Sequence, residues 1–99
     1  MTIEDCRGEI DKVDAELLRL LNLRAELAVR VGESKRLAGL SVWDRVRERE
    51  VVERARRNNR GPLDDDAVAR LFRAVIRESR RLQARAAETS DAQPEEAAR

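Results

Sequence analysis

Charged and polar side chains that interrupt an apolar helical stripe point to chemistry, because an ion held away from water is costly unless a counter-charge or a ligand meets it. Arg24 is such a residue: it falls on the three-four stepping between Leu20 and Leu27, and Lys35 lies three turns further on nearly the same face. Asp44, Arg47 and Glu48 share one side of a following segment at helical spacing and converge with Val51. Ser79 and Gln83, one turn apart, continue the face of Phe72, Val75 and Ile76, where Val or Leu would be the ordinary choice. Together these residues describe a mainly cationic pocket with a hydroxyl, an amide and an acid, which suits a small dicarboxylate that carries a hydroxyl. The chain has no His to activate a Ser and no Gly-rich phosphate loop, and its single Cys6 sits on an apolar stripe as inert packing. A reaction in this pocket is expected to proceed without a covalent intermediate.

All of these residues but Lys35 also have a plainer role open to them. Arg24 can pair with Glu26 or Glu48, or lie along an apolar seam with its head in water. Arg47 and Glu48 belong to the run RVREREVVERARR, which reads equally as a solvated face laced by neighbouring ion pairs. Asp44 can cap a helix, and Ser79 and Gln83 can occupy a rim that touches water.

The elements that must position them are helical. Of 99 residues, 41% are charged, 41% hydrophobic and 2% aromatic, so a core must be built from Leu, Val, Ile and Ala, and an all-β fold is excluded. A first helix runs from a Thr2 cap to about Leu37, carrying Ile3, Cys6, Ile10, Val13, Leu17, Leu20, Leu27 and Val31 on one stripe. A second begins near Ser41 or Val42 and stops at Asn58-Asn59-Arg60-Gly61-Pro62, and a third, capped by Asp64, fades after Ala87. The expectation is one all-α helical domain over residues 1–88 and a disordered tail over 89–99.

The formal charge of +1 gives no whole-molecule pull toward nucleic acid or anionic membrane. Without His and with one Cys no metal site is expected, no apolar run is long enough to span a bilayer, and the chain is expected in the cytoplasm. A first helix of some 35 residues is ~50 Å long, whereas a compact chain of this size has a radius of gyration near ~13 Å. One protomer cannot cover that apolar stripe, so an obligate homodimer is predicted, the long helix pairing antiparallel with its own copy.

In this order and spacing the residues resemble the all-helical chorismate mutases, type II or AroQ class. The match is Arg7-x-x-Ile10-Asp11-x-Val13-Asp14-x-x-Leu17-Leu18-x-Leu20-Leu21-x-x-Arg24, then Glu26-Leu27-Ala28 through Gly32 to Lys35. It continues as Val42-Trp43-Asp44-x-x-Arg47-Glu48 and Arg70-Leu71-Phe72 through Glu78-Ser79 to Gln83. Each piece is weak, and the ordered set is specific. The resemblance implies an intertwined three-helix homodimer that converts chorismate to prephenate by an intramolecular [3,3] Claisen rearrangement, without cofactor, in Phe and Tyr biosynthesis. It implies Arg24 and Arg47 as carboxylate clamps and Arg7 as a clamp lent by the other protomer. Lys35 and Gln83 would be donors to the ether oxygen, Glu48 the acceptor for the ring hydroxyl, and Asp44 and Ser79 supporting contacts. Ser41 and Trp43 depart from the residue types expected in that loop. The isochorismate pyruvate-lyases share the fold and the cationic pocket and are the enzymatic alternative. A non-catalytic helical dimer or nucleic-acid-binding module is the alternative of another class, resting on Arg70, Arg73, Arg77, Arg80 and Arg81 along one side of the third helix.

Overall fold

The computed structural model describes residues 1–92, with side chains to Thr89, as three helices: α1 (Ile3–Leu37), α2 (Arg45–Asn58) and α3 (Asp65–Ala92). Among the described residues there is no strand.

Thr2 opens α1 as expected. Its hydroxyl accepts from the Asp5 backbone N–H, and the Asp5 carboxylate accepts from the Thr2 N–H, both at 3.0 Å, so two otherwise orphaned donors are met reciprocally. The helix closes on Gly39, whose φ of +71° lies in the left-handed region that glycine enters without cost. From there the Gly39 N–H reaches the Arg36 carbonyl (3.1 Å) and the Leu40 N–H reaches the Lys35 carbonyl (2.8 Å), a Schellman closure.

The second helix starts later than the Ser41 or Val42 expected from the apolar pattern. Asp44 takes the cap, accepting from the Arg47 N–H at 2.9 Å, and residues 38–44 form a link in which the Ser41 hydroxyl donates to the Trp43 carbonyl (3.2 Å). Asp64 caps α3 through the Ala67 N–H (2.7 Å), as its position before an apolar run implied. That helix does not fade at Ala87 but continues to Ala92, with the Thr89 hydroxyl bonded back to the Arg85 carbonyl (3.1 Å). Of the tail expected over 89–99, residues 93–99 lie outside the described residues.

The third helix is the common wall, packing on α2 along one side and on α1 along another. Val52 from α2 and Val68, Ala69 and Ile76 from α3 are the buried apolar residues, with Ala69 wholly enclosed. Only the C-terminal part of α1 meets α3, through small residues: Ala25 and Ala28 are half-buried, and Gly32 is buried. Residues 3–23 of α1 are exposed throughout. The apolar stripe Ile10, Val13, Leu17, Leu20, Leu27 and Val31 therefore stands in solvent in the single chain, each residue 47–63% exposed. The Cα radius of gyration is 17.7 Å, against about 13 Å for a compact chain of this length.

Candidate active site

The C-terminal half of α1, the start of α2 and the second half of α3 enclose a cavity of about 300 Å³. Arg24, Lys35, Asp44, Arg47, Glu48, Ser79 and Gln83 all line it, so the fold gathers every sequence-derived candidate except Arg7. Leu27, Val31, Val51 and Ile76 form its apolar walls.

Two contacts between α1 and α3 set the inner end. The Arg24 guanidinium donates from Nη1 to the Ser79 hydroxyl (2.9 Å), and that hydroxyl donates to the Val75 carbonyl one turn earlier (3.1 Å). Ser79 is thus an acceptor that aims Arg24 rather than a group at a wet rim. No carboxylate lies within ion-pair distance of Arg24 among the described residues, so neither Glu26 nor Glu48 neutralises it, and the guanidinium keeps donors free for an anion. The Gln83 amide donates from Nε2 to the Ala28 carbonyl (2.7 Å), and the side chain lies across Gly32. An amide nitrogen carries two hydrogens, so this bond fixes the plane while leaving a donor over.

The other end is set by α2. Lys35 and Asp44 form an ion pair at 3.5 Å, with the lysine side chain 24% exposed. Asp44 is at once the α2 cap and the lysine's partner, so the plainer role and the site role coincide. The Arg47 backbone N–H holds the Asp44 carboxyl below its ordinary value; nearby Lys35 acts in the same direction, and partial burial opposes both. Arg47 lies at the mouth with its side chain half exposed, its guanidinium on Glu50 (2.9 Å), which also holds Arg54 (3.0 Å). This is the laced ion-pair face that the charge run suggested, so Arg47 would leave Glu50 to take a ligand carboxylate.

Arg80 is the residue that sequence reasoning left out of the pocket. It lines the same cavity, with Nε 3.4 Å from Glu48 Oε2 and the guanidinium carbon 5.2 Å from the centre of the Trp43 ring. Its spacing from Gln83 and Ile76 places it beside the inward face, a signal that the arginine stripe on α3 obscured. The structure also thins that stripe as a phosphate track, since Arg80 turns to Glu48 and Arg81 pairs with Glu78 (2.7 Å). Arg7 is remote from the cavity, exposed and 3.4 Å from Glu4. Cys6 is exposed in the single chain rather than packed.

Residues 6–84 match the family model for chorismate mutase type II. The chain belongs to that family. It is 49% identical over 72 residues to a bifunctional chorismate mutase/prephenate dehydratase of Neisseria gonorrhoeae, a match covering 73% of this chain and 19% of that protein. It is 41% identical over 78 residues to the corresponding protein of Aquifex aeolicus, covering 75% of this chain and 22% of the other. An intracellular chorismate mutase of Mycobacterium bovis is 35% identical over 71 residues, covering 72% of this chain and 66% of that one. The chain thus spans about a fifth of the length of the bifunctional relatives. Among solved structures, a chorismate mutase from Thermus thermophilus superposes with a TM-score of 0.82 at 34% identity, covering 84% of this chain and 94% of that one. The type II family's three-helix, all-α architecture is the architecture of this chain.

Proposed function

We propose that the chain converts chorismate to prephenate by a non-covalent [3,3] rearrangement, as a homodimer in which each cavity is completed by Arg7 of the partner. The observation that carries this reading is the gathering of Arg24, Lys35 and Gln83 around one small cavity, with Ser79 and Asp44 orienting the two cations. Family membership supplies the substrate: a dicarboxylate with a ring hydroxyl, the chemical class to which the cavity's charges are complementary.

As the ether C–O bond breaks, negative charge grows on its oxygen, and donors already in place stabilise the transition state more than the ground state. Lys35 and the free Gln83 N–H supply them. Arg24 and Arg47 clamp carboxylates and hold the enolpyruvyl arm over the ring, so part of the entropic barrier is met on binding. Glu48 accepts from the ring hydroxyl.

The uncovered stripe on α1, too long for one protomer to bury, supports the dimer. Arg7 and Arg24 are seventeen residues apart on α1, about 25 Å along its axis, so both can grip one small ligand only across an antiparallel pair. No helix among the described residues is long and apolar enough to cross a membrane. A cytoplasmic location is part of the same proposal, supported by the similarity to the intracellular chorismate mutase of Mycobacterium bovis.

Two assays test this. Offered chorismate and isochorismate separately, the protein should form prephenate from the first; salicylate and pyruvate from the second alone would assign it to the lyases. Arg7→Ala and Arg24→Ala should each be nearly inactive, and mixing them after unfolding and refolding together should restore about a quarter of wild-type activity, because half of randomly paired dimers carry one intact site. No recovery would refute the shared site.

A further inference from the structure

Glu48 has one wall of its own. Its side chain is 26% exposed and lines the cavity, and its carboxylate meets Arg80 Nε at 3.4 Å, an ion pair that does not close into a hydrogen bond and leaves that buried nitrogen without a hydrogen-bond partner. What holds Arg80 is Trp43, whose ring has two guanidinium groups over it, Arg45 at 4.3 Å and Arg80 at 5.2 Å from the ring centre. A planar guanidinium over an indole face is attracted by the ring quadrupole, and Trp is the strongest of the aromatic partners. The 38–44 link between α1 and α2 is thereby fastened to α3 at the point where α3 contacts the acid.

We propose that Trp43 and Arg80 form a brace that sets the orientation of the Glu48 carboxylate, making Arg80 a positioning residue for the ring-hydroxyl contact and Trp43 the residue that holds Arg80 in place. This rests on the reading of the cavity as the substrate site. Removing Trp43 frees Arg80 to swing toward solvent, and removing Arg80 lets the carboxylate turn out of the cavity toward the basic side chains of α2. In either case the acceptor is no longer presented where the hydroxyl arrives. The contact is made in ground and transition state alike, so its loss should appear in KM rather than kcat. A chain that merely folds less well would show the opposite split, with fewer active molecules of unchanged KM.

The test is a cycle of variants: Arg80→Met, Arg80→Lys, Trp43→Leu, Trp43→Phe, Glu48→Gln, and Arg80→Met combined with Glu48→Gln. Arg80→Met and Trp43→Leu should each raise KM for chorismate about tenfold with kcat within about threefold. Trp43→Phe should recover most of the loss, and Arg80→Lys, which keeps the charge but not the planar fork, should not. Arg80→Met should add no further loss on top of Glu48→Gln. If it costs its full factor in that background, Arg80 contacts the substrate directly and the brace is refuted; wild-type behaviour of Arg80→Lys would refute it too, assigning the effect to charge alone.

A second arm needs no turnover. Trp43 is the single tryptophan, so its emission reports the brace directly, and both Arg80→Met and Glu48→Gln should shift it. An emission spectrum indifferent to Glu48→Gln would overturn the proposal even in an active enzyme, whereas a shift in a protein that leaves chorismate untouched would sustain the brace and refute only the catalytic reading.

Discussion

Replacing Gly32 by Ala should separate stability from catalysis. Gly32 is buried on the face of α1 that meets α3, and a methyl group built on it would lie 3.3 Å from Gln83 Cγ and 3.7 Å from both Cβ and Cδ of the same side chain. All three contacts are with Gln83, a flexible side chain, so the new carbon displaces it by a few tenths of an ångström rather than forcing the helices apart. Helix propensity favours Ala over Gly by about 1 kcal/mol. Against that stands the 2.7 Å bond from Gln83 Nε2 to the Ala28 carbonyl, whose loss costs about 1 kcal/mol. The two nearly cancel, and the midpoint of thermal unfolding at fixed protomer concentration should move by less than about 5 °C. Activity has no such compensation. The Gln83 donor must sit within a narrow range of the breaking ether oxygen, and misplacing it should lower kcat about tenfold, part of the 10²- to 10³-fold loss, roughly, expected when a preorganised donor is removed outright in Gln83→Ala. Steady-state loss of chorismate absorbance, run beside circular-dichroism melts, reads both quantities. A Gly32→Ala enzyme with wild-type kcat would refute the argument, as would one whose deficit multiplies with that of Gln83→Ala, since the glycine is held to act only through that amide.

Gln83→Glu should make the enzyme acid-dependent: the ionised carboxylate donates neither to the Ala28 carbonyl nor to the ether oxygen, so kcat should rise as pH falls and the group protonates, whereas the wild type should show no such requirement between mild acid and neutrality. Lys35→Ala should lower kcat about a thousandfold while also leaving Asp44 without its 3.5 Å partner; a loss under tenfold would remove Lys35 from the ether-oxygen role. Asp44 and Asp5 are both held below the ordinary carboxylate range, first by the backbone N–H groups of Arg47 and Thr2. A lowered folded-state value stabilises the fold above the unfolded value and loses that contribution as pH falls through the folded one. The melting temperature should therefore drop below about pH 4, and the gap between wild type and Asp44→Asn, which keeps the cap but cannot titrate, should close over the same range. A gap that stayed constant with pH would show that the Asp44 charge plays no part.

What could be read from the chain alone depended on how local each determinant is. The caps at Thr2 and Asp64 and the end of α1 at Leu37 are decided within a few residues, and there sequence and structure agree. The start of α2 is a competition between an apolar pattern reaching back to Val42 and a carboxylate at Asp44 that satisfies the helix terminus, and the cap prevails because an unmet N–H costs more than a turn of marginal helix gains. Spacing on a single helix was enough to mark Arg24, Lys35 and Gln83 as facing inward. It could not give Ser79 its part as the acceptor that aims Arg24, since that bond joins residues fifty-five apart in the chain. Arg80 was hidden for a related reason. On α3 it is one of several arginines along a polar side, a run that masks its spacing from Ile76 and Gln83, and the Trp43 ring arriving from the α1–α2 link, with Glu48 from α2, sets it apart from its neighbours. Gly32 carries the same lesson in reverse: along α1 it is a weak point in a long helix, and against α3 it is the space that Gln83 occupies. The residues that bear charge were legible one helix at a time, whereas those that orient them exist only where two helices meet. Substitutions at Gly32, Ser79 and Arg80 should accordingly be coupled to Gln83, Arg24 and Glu48 respectively, and nearly additive in the other pairings between these two sets.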